Sequence, residues 1–326
     1  MGRPIAIAGW GAIAGAAYLA LCAWLYDRIT RVPADSPTFA SPNRPAAFSA
    51  GAVDCAPFLI PDAEEVRFVD RTGTVQIAGW WMPIAGVPDA PTVIVVHGYT
   101  ASRRDGWVLL AAGMLHRHGF ATLAIDLRNH GDSGRTGGRH TGGIRESSDV
   151  LGAWDWLVAE RRIAPERIGL FGISLGAASV VIAAGDEPRV AAVWSDSGYG
   201  DIDDATRAEL RRNHLPPALL TSGLLVGRLL DGPGLRAKSP LAATARLTGR
   251  PVFVTHGTAD ERLDVRYADQ LEQAGRASGA LVETWIVEGS GHASAIVDRP
   301  ADYEHHLVDF FDRTIGARPA SGADGA

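Results

Sequence analysis

The 326-residue chain has the composition of an ordinary globular protein, with 46% apolar and 21% charged residues and a net charge of −6. This acidic balance excludes nucleic acid as the main partner, since phosphate-binding surfaces need an excess of basic residues. The two cysteines, Cys22 and Cys55, lie in different segments and imply no disulfide framework. The sequence has no Cys-x-x-Cys, His/Cys cluster or His-Glu-x-x-His pattern, so we expect no metal and no other cofactor.

Residues 1–31 are predicted to form a transmembrane anchor. Residues 4–26 contain no charged side chain, and as a helix they would span about 34 Å, against a bilayer core of about 30 Å. Aromatic residues near both ends fit the two membrane interfaces. Gly11 and Gly15 form a small-xxx-small pattern that would pair two such helices in a homodimer. A cleaved signal segment and a buried helix are the alternatives.

The anchor would make the chain a single-pass membrane protein. Basic residues on its two sides nearly balance, so they do not fix the orientation, and we favour a catalytic domain outside the cytoplasm. Residues 32–62 are rich in proline and predict a semi-extended linker, with an irregular arm packed on the catalytic domain as the alternative. A chain that begins near Ala50 is therefore expected to be soluble and active. Residues 316–326 are small and polar and predict a disordered tail.

The catalytic domain is predicted over residues 63–315. An alternating hairpin precedes a series of apolar, β-branched runs, which are typical of strands buried on both faces of a sheet. The predicted strands are 65–69, 75–80, 92–96, 121–125, 168–171, 190–194, 252–255 and 282–287. The helical segments between and after them are 104–118, 146–160, 175–184, 265–277 and 302–312. This alternation predicts an α/β fold, a mostly parallel sheet of about eight strands with helices on both faces and the site at the strands' carboxyl ends.

Ser174 is the predicted nucleophile. It is the centre of Gly172-Ile173-Ser174-Leu175-Gly176, which directly follows a predicted strand and precedes an alanine-rich helix. In such an elbow the serine occupies a strained strand-to-helix turn, and the two glycines let neighbouring elements approach. The start of the helix directs its positive dipole end at the site. A glycine-rich connecting loop without catalytic role is the alternative.

The loop after strand 92–96 is predicted to complete an oxyanion hole. Such a hole needs two preorganised N–H donors. The backbone N–H of Leu175, directly after the nucleophile, is the first predicted donor. The backbone N–H of Tyr99 is the second, because Tyr99 follows the His97-Gly98 pair at the end of the strand. We interpret His97 as a structural residue that braces this loop and not as the catalytic base.

A serine nucleophile needs a base, and the base needs an acid to orient it. The usual chain order is serine, acid, histidine. His292 follows the last predicted strand in a glycine-rich loop and is the predicted base. Asp260 lies in the loop after the preceding strand and is the predicted acid. Asp196, one strand earlier again, is its rival.

Residues 199–238 are too long for a simple connection and are predicted to form a small helical lid. The segment begins with an acidic run, interpreted as a solvated face, and becomes leucine-rich between Leu215 and Leu230. An apolar lid above Ser174 would favour an acyl chain as the bound group. The alternatives are helices that pack on the core for stability, or a surface that contacts the bilayer.

These motifs resemble the α/β-hydrolase superfamily over nearly all of residues 65–315. The matching segments are 97–99, 126–133, 172–176, 257–260 and 289–292. The chain looks most like bacterial membrane-anchored serine hydrolases of the serine-aminopeptidase-like or lysophospholipase-like kind. The resemblance implies the α/β-hydrolase fold and a Ser174, Asp260, His292 triad, but it discriminates poorly among substrates. Asn129 departs from the pattern, which often has glycine at that position.

The functional hypothesis is a serine hydrolase that cleaves carboxylic esters of acyl chains through an acyl-enzyme intermediate. Its partners would be a small-molecule or lipid-like ester and the membrane. A peptidase of the same fold and an acyltransferase are the alternatives, and a non-catalytic membrane scaffold is a third. The intact set of Ser174, Asp260 and His292 speaks against the scaffold.

Overall fold

The central element of the fold is an eight-stranded sheet. The computed structural model describes residues 3–216, 219–231 and 238–316. The strands are β1 Glu64–Val69, β2 Gln76–Met82, β3 Thr92–Val96, β4 Ala121–Ile125, β5 Ile168–Ile173, β6 Ala192–Asp196, β7 Pro251–Gly257 and β8 Leu281–Val287. Their order is β1-β2-β4-β3-β5-β6-β7-β8, and only the β1–β2 and β2–β4 pairs are antiparallel. The predicted mostly parallel, eight-stranded sheet is confirmed.

Helices cover both faces of this sheet. They are α1 Arg3–Thr30, α2 Gly106–Arg117, α3 Glu146–Ala159, α4 Leu175–Asp186, α5 Ile202–Arg212, α6 Leu219–Asp231, α7 Pro240–Thr244, α8 Arg266–Ser278, α9 Ala295–Asp298 and α10 Pro300–Phe311. Short 3₁₀ turns occur at Ala56–Phe58 and Pro165–Arg167, and a π-turn at Asp312–Gly316 follows α10. One apolar core lies between the sheet and α3, α4 and α8, and a second lies between the sheet and α2 and α10. Apart from Gly316, the tail predicted at 316–326 lies outside the described residues.

Strand register brings the predicted site loops to one edge of the sheet. All five residues of β3 are buried, as expected for a β-branched strand covered on both faces. Val96 at the end of β3 pairs with Gly172 in β5, and His256 in β7 pairs with Ile286 in β8. Because these parallel strands end together, the loops that follow them meet at their carboxyl ends.

The N-terminal helix α1 packs on the catalytic domain. Leu25 and Tyr26 are buried, and Tyr18 Oη lies 2.6 Å from Ser222 Oγ in α6. Over the described ranges, no helix combines the length and apolar character needed to cross a membrane. The single-pass anchor predicted for residues 1–31 is therefore not supported. Part of the apolar surface that suggested it is a packing surface for α6.

Residues 32–62 form an irregular arm on the surface of the domain, which is the alternative to the semi-extended linker expected from their prolines. Ala50, Phe58 and Ile60 are buried and belong to the same core as α2. The contact is tight, since a Cβ at Gly113 of α2 would lie 2.3 Å from the Phe58 carbonyl oxygen. The prolines keep the arm irregular, while its apolar side chains extend the core.

The predicted lid segment, residues 199–238, contains α5 and α6, with residues 217–218 and 232–237 outside the described set. Asp201 is the N-cap of α5, and its carboxylate accepts hydrogen bonds from the backbone N–H of Asp203 at 2.9 Å and of Asp204 at 3.2 Å. The acidic run therefore stabilises the start of a helix, where carboxylates interact favourably with the helix dipole.

The leucines of α6 serve a different purpose from the one expected. Leu220 is buried in a cluster with Leu25 of α1 and Leu210 of α5. Leu225 and Leu229 are 61% and 78% exposed. Within the leucine-rich stretch, Leu220 thus packs on α1, whereas Leu215 lies in the wall of the cavity beside Ser174 together with residues of α5.

Candidate active site

Ser174 occupies the sharp turn between β5 and α4. Its φ is +55° and its ψ is −112°, a strained conformation for a residue with a side chain. A Cβ at Gly172 would lie 2.3 Å from the Gly176 carbonyl oxygen, and one at Gly176 would lie 2.4 Å from the carbonyl oxygen of Val96. Both positions therefore need glycine, as the elbow motif predicted.

The structure brings Ser174, His292 and Asp260 into one hydrogen-bonded chain. His292 Nε2 lies 2.9 Å from Ser174 Oγ, and His292 Nδ1 lies 2.7 Å from Asp260 Oδ2. An ionised carboxylate only accepts hydrogen bonds, so His292 carries a proton on Nδ1. In neutral His292 this leaves Nε2 as the acceptor for the serine hydroxyl.

Asp260 is held in its ionised form by donors on several sides. Oδ1 accepts hydrogen bonds from the backbone N–H groups of Arg262 and Leu263, both at 2.8 Å. His256 Nε2 lies 3.1 Å from Oδ2 and donates to the Leu263 carbonyl at 2.8 Å. Burial by itself would raise the pKa of Asp260, but hydrogen bonds from His256 and His292 outweigh it and hold the pKa well below its usual range.

His256 is a residue to which sequence reasoning assigned no role. It is buried at the end of β7 and precedes Asp260 by four residues. The four-residue spacing could have predicted its contact with Asp260, because a turn of that length can return a side chain to the residue four positions earlier.

Asp196, the rival acid, does not bind His292. Its Oδ2 accepts a hydrogen bond of 2.6 Å from Tyr303 Oη, and its Oδ1 accepts one of 2.9 Å from Ser197 Oγ. Ser197 Oγ in turn accepts a bond of 3.0 Å from the backbone N–H of Ala293, the residue after His292. Through Ser197, Asp196 therefore stabilises the loop that contains His292.

The oxyanion loop lies directly against the nucleophile. A Cβ at Gly98 would be 3.4 Å from Ser174 Cβ. The backbone N–H groups of Tyr99 and Leu175 have no acceptor among the described residues. Leu175 is the first residue of α4, where an N–H has no intrahelical partner. Both N–H groups therefore remain available as donors next to Ser174, and their role in an oxyanion hole stays a prediction.

His97 fixes this loop in place. Its Nδ1 donates to the Gly98 carbonyl at 2.7 Å, and its Nε2 accepts a bond of 3.0 Å from the backbone N–H of Leu127. The acceptor role of Nε2 requires a neutral ring. Complete burial lowers the pKa of His97 to about 4 and so keeps it neutral.

The N-terminal arm clamps the same loop from the other side. Ser36 Oγ and Thr38 Oγ1 both donate to the Thr100 carbonyl, at 2.5 and 2.6 Å. Tyr99 Oη donates to the Arg31 carbonyl at 2.6 Å. The sequence favoured a linker here, and even the alternative of a packed arm named none of these contacts.

Asn129, the departure from the family pattern, has a local explanation. Its φ is +66°, in the left-handed region that glycine and asparagine tolerate best. Its Oδ1 accepts a bond of 2.6 Å from the Thr136 N–H, and its Nδ2 donates to the Arg139 carbonyl at 2.8 Å. Asparagine is therefore compatible with a turn position where glycine is common.

Two cavities open beside Ser174. The larger has a volume of about 210 Å³ and lies under α5. Its apolar wall consists of Ile29, Tyr199, Ile202, Ala205, Leu210, Leu215 and Leu263. The smaller, of about 150 Å³, lies on the His292 side and includes Trp107 and Val108. Arg262 borders both, whereas Arg28 and Glu209 border only the larger. Arg28 and Ile29 were missed because they fell in the supposed membrane anchor.

The sequence model of the prolyl oligopeptidase family matches residues 110–318, more than half of the chain. The chain belongs to the prolyl oligopeptidase family. It is accordingly a serine hydrolase, as predicted. The match includes Ser174, Asp260 and His292, but it begins after Tyr99 and the N-terminal arm.

Individual relatives are similar to this chain as well. The uncharacterized protein YfhR of Salmonella typhimurium is 26% identical over 264 residues, which cover 79% of this chain and 84% of the relative. The uncharacterized protein Rv2307c of Mycobacterium tuberculosis is 32% identical over 145 residues, which cover 44% of this chain and 49% of the relative. Neither name states an activity.

Solved structures share the fold. An esterase of Pyrococcus furiosus superimposes with a TM-score of 0.66 at 23% identity and covers 85% of this chain and 100% of its own. The acylaminoacyl peptidase of Pyrococcus horikoshii gives 0.59 at 18% identity, covering 79% of this chain and 42% of its own. At these identities the similarity shows the fold alone, and the predicted α/β-hydrolase fold is confirmed.

Proposed function

We propose that this member of the prolyl oligopeptidase family hydrolyses carboxylic esters through an acyl-enzyme formed on Ser174. The observation that carries the proposal is the hydrogen-bonded chain from Asp260 through His292 to Ser174, at 2.7 and 2.9 Å, which ends beside a cavity of about 210 Å³ with an apolar wall. Such a cavity suits an acyl chain, and each CH₂ group that it buries contributes about 0.8 kcal/mol.

Acylation begins when Ser174 Oγ attacks the ester carbonyl carbon and its proton moves to His292 Nε2. The carbonyl oxygen becomes negative and accepts hydrogen bonds from the Tyr99 and Leu175 N–H groups. The carbon–oxygen bond to the alcohol then breaks, and the alcohol oxygen takes the proton from His292 Nε2. Asp260 stabilises the imidazolium that forms in between.

Deacylation repeats these steps with water as the nucleophile. His292 Nε2 removes a proton from water as its oxygen attacks the acyl carbon. The same two N–H groups stabilise the second oxyanion. The bond to Ser174 Oγ breaks, the serine regains its proton from His292, and the carboxylic acid leaves. The smaller cavity borders His292 and therefore suits the alcohol, which must receive its proton from that residue.

In this proposal the acyl chain packs on the wall formed by α5. A substitution in that wall tests whether the larger cavity binds the acyl chain. Ala205 is buried and borders the cavity. The Ala205→Leu variant fills part of the space, so the optimum of kcat/KM across p-nitrophenyl esters should move to shorter acyl chains. Ala208→Leu is the matched control, because Ala208 lies on the same helix outside the cavity wall.

A comparison with amides tests the choice of ester over peptide. The test uses acyl-amino-acid p-nitroanilides beside the ester series, with Ser174→Ala as the blank. We expect ester turnover with a chain-length optimum that Ala205→Leu shifts and Ala208→Leu does not. A flat chain-length profile together with efficient anilide cleavage would favour the peptidase instead.

A further inference from the structure

The acyl cavity contains a polar group that a plain hydrocarbon chain does not need. Tyr199 borders the cavity and is only 5% exposed. Its hydroxyl has no hydrogen-bond partner among the described residues. A buried donor without a partner is destabilising, and a phenylalanine would fill the same space without that cost. The hydroxyl therefore fits a polar atom of the bound acyl group.

Two arginines at the same cavity also lack an anionic partner. Neither Arg28 nor Arg262 forms an ion pair within the described part of the chain. Nearby arginines behave differently, since Arg31 and Arg139 both pair with Asp27, at 2.6 and 2.8 Å. Unpaired guanidinium groups beside a catalytic serine are suited to carboxylate oxygens, which they bind through charge-assisted hydrogen bonds.

The two cations outnumber the acidic group of the cavity wall. Glu209 is the single carboxylate among the lining residues that the structure describes, and its Oε1 accepts a bond of 2.9 Å from Asn213 Nδ2. Burial and the charges of Glu146 and Asp201 raise the pKa of Tyr199, but neither carboxylate lines the cavity. Glu146 accepts hydrogen bonds within its own loop, from the N–H groups of Thr141 at 2.9 Å and Gly143 at 3.0 Å. The cavity therefore has a net positive charge.

We propose that the preferred acyl group carries a carboxylate, so that the substrates are half-esters of dicarboxylic acids. The inference rests on the ester hydrolysis proposed above and names its substrate class. The methylene chain packs on the α5 wall. The free carboxylate accepts hydrogen bonds from the side chains of Tyr199, Arg28 and Arg262, which form no hydrogen bond or ion pair with the described residues.

A pair of matched esters tests this specificity. Mono-p-nitrophenyl adipate and p-nitrophenyl hexanoate have the same leaving group and acyl chain length, and differ in a terminal carboxylate. Spontaneous hydrolysis is subtracted with the Ser174→Ala variant. We expect kcat/KM of the full-length protein to be about tenfold higher for the adipate, as one charge-assisted hydrogen bond provides, and to lose this preference as salt is added. Equal rates, or a preference for the hexanoate, would overturn the proposal.

Single substitutions should move the ratio of adipate to hexanoate kcat/KM in opposite directions. Arg28→Gln, Arg262→Gln and Tyr199→Phe each remove a donor and should lower it. Glu209→Gln removes the competing anion and should raise it. Arg212→Gln is the control, because Arg212 is an exposed residue at the end of α5 outside the cavity wall. The ratio cancels any general effect on the triad.

The outcomes separate this inference from the proposed function. If the hexanoate is hydrolysed and the arginine variants leave the ratio unchanged, or Arg212→Gln lowers it equally, the carboxylate specificity is wrong and ester hydrolysis stands. If neither ester is hydrolysed and a fluorophosphonate does not label Ser174, ester hydrolysis itself is contradicted, and the specificity with it.

Discussion

Ser36 in the N-terminal arm donates a hydrogen bond of 2.5 Å to the carbonyl of Thr100 in the oxyanion loop, 64 residues later in the chain. Thr38 donates to the same carbonyl at 2.6 Å. Thr100 has a φ of +60°, so this loop needs external contacts to keep its conformation. The arm therefore belongs to the structure that positions the Tyr99 N–H, although it lies outside the family match.

The first prediction concerns the activity of a protein that is truncated to begin at Ala50. We expect it to lose most of its activity, which reverses the expectation from sequence alone. The truncation removes Ser36 and Thr38, and with them Arg28 and Ile29 from the acyl cavity. Misplacement of one oxyanion donor lowers kcat by about 10²-fold. The measurement is kcat for a p-nitrophenyl ester.

Point variants separate the effect of the Ser36 and Thr38 hydrogen bonds to Thr100 from the effect of losing the whole arm. Ser36→Ala combined with Thr38→Val should lower kcat with little change in KM. Ser49→Ala is the matched control, since its hydroxyl makes no hydrogen bond in the described structure. Unchanged kcat in the double variant would show that the clamp does not position the oxyanion donor.

A second prediction distinguishes the two buried aspartates. Asp260→Asn should lower kcat by a factor on the order of 10⁴, because the amide cannot orient and stabilise His292 as a carboxylate does. Asp196→Asn should lower kcat much less, since Asp196 bonds Tyr303 and Ser197 instead of His292. It should reduce the thermal midpoint, which a melting curve measures alongside kcat. If Asp196→Asn were the inactive variant, Asp260 would not be the acid.

The catalytic residues were accessible from sequence because local constraints fix them. The close contacts at Gly172 and Gly176 demand glycine around Ser174, and strand order brings Asp260 and His292 to the same edge of the sheet. Asp196 meets the same sequence condition, and only the hydrogen bonds of the structure separate it from Asp260. The positive φ of Asn129 was readable as well, because asparagine is a common substitute for glycine there.

The acyl cavity was not accessible in the same way. Arg28 and Ile29 reach it only because α1 packs on α6, and nothing in the local sequence marks that contact. Apolar composition fits a membrane span and a packed helix equally well. The burial of Leu220 beside Leu25, with Leu225 exposed, depends on the same tertiary contact. Hydrophobicity alone could not tell which leucines face a substrate.

A third prediction concerns acid stability. Burial lowers the pKa of His97 to about 4, and burial together with the neighbouring His97 lowers that of His130 to about 3. Both are near 6.5 in the unfolded chain. The neutral rings therefore stabilise the fold fully above about pH 6.5, and this stability is lost progressively as the pH falls from about 6.5 to the two folded values.

Denaturant unfolding between pH 7 and pH 4 measures this effect. His97 alone should account for a loss on the order of 3 kcal/mol in the free energy of unfolding. His97→Gln should show a shallower loss over the same range, although it is less stable at pH 7. His305→Gln, on the exposed face of α10, should keep the wild-type slope. An equally steep loss in His97→Gln would assign the acid sensitivity to other groups.

The most direct test of Ser174 as the nucleophile is the site of covalent labelling by a fluorophosphonate on the full-length protein. Intact mass and peptide mapping identify the modified residue, and melting curves confirm that each variant is folded. We predict one adduct per chain, on Ser174, with none in Ser174→Ala and strongly slowed labelling in His292→Ala. An adduct on another serine, or labelling that persists in folded Ser174→Ala, would contradict Ser174 as the nucleophile.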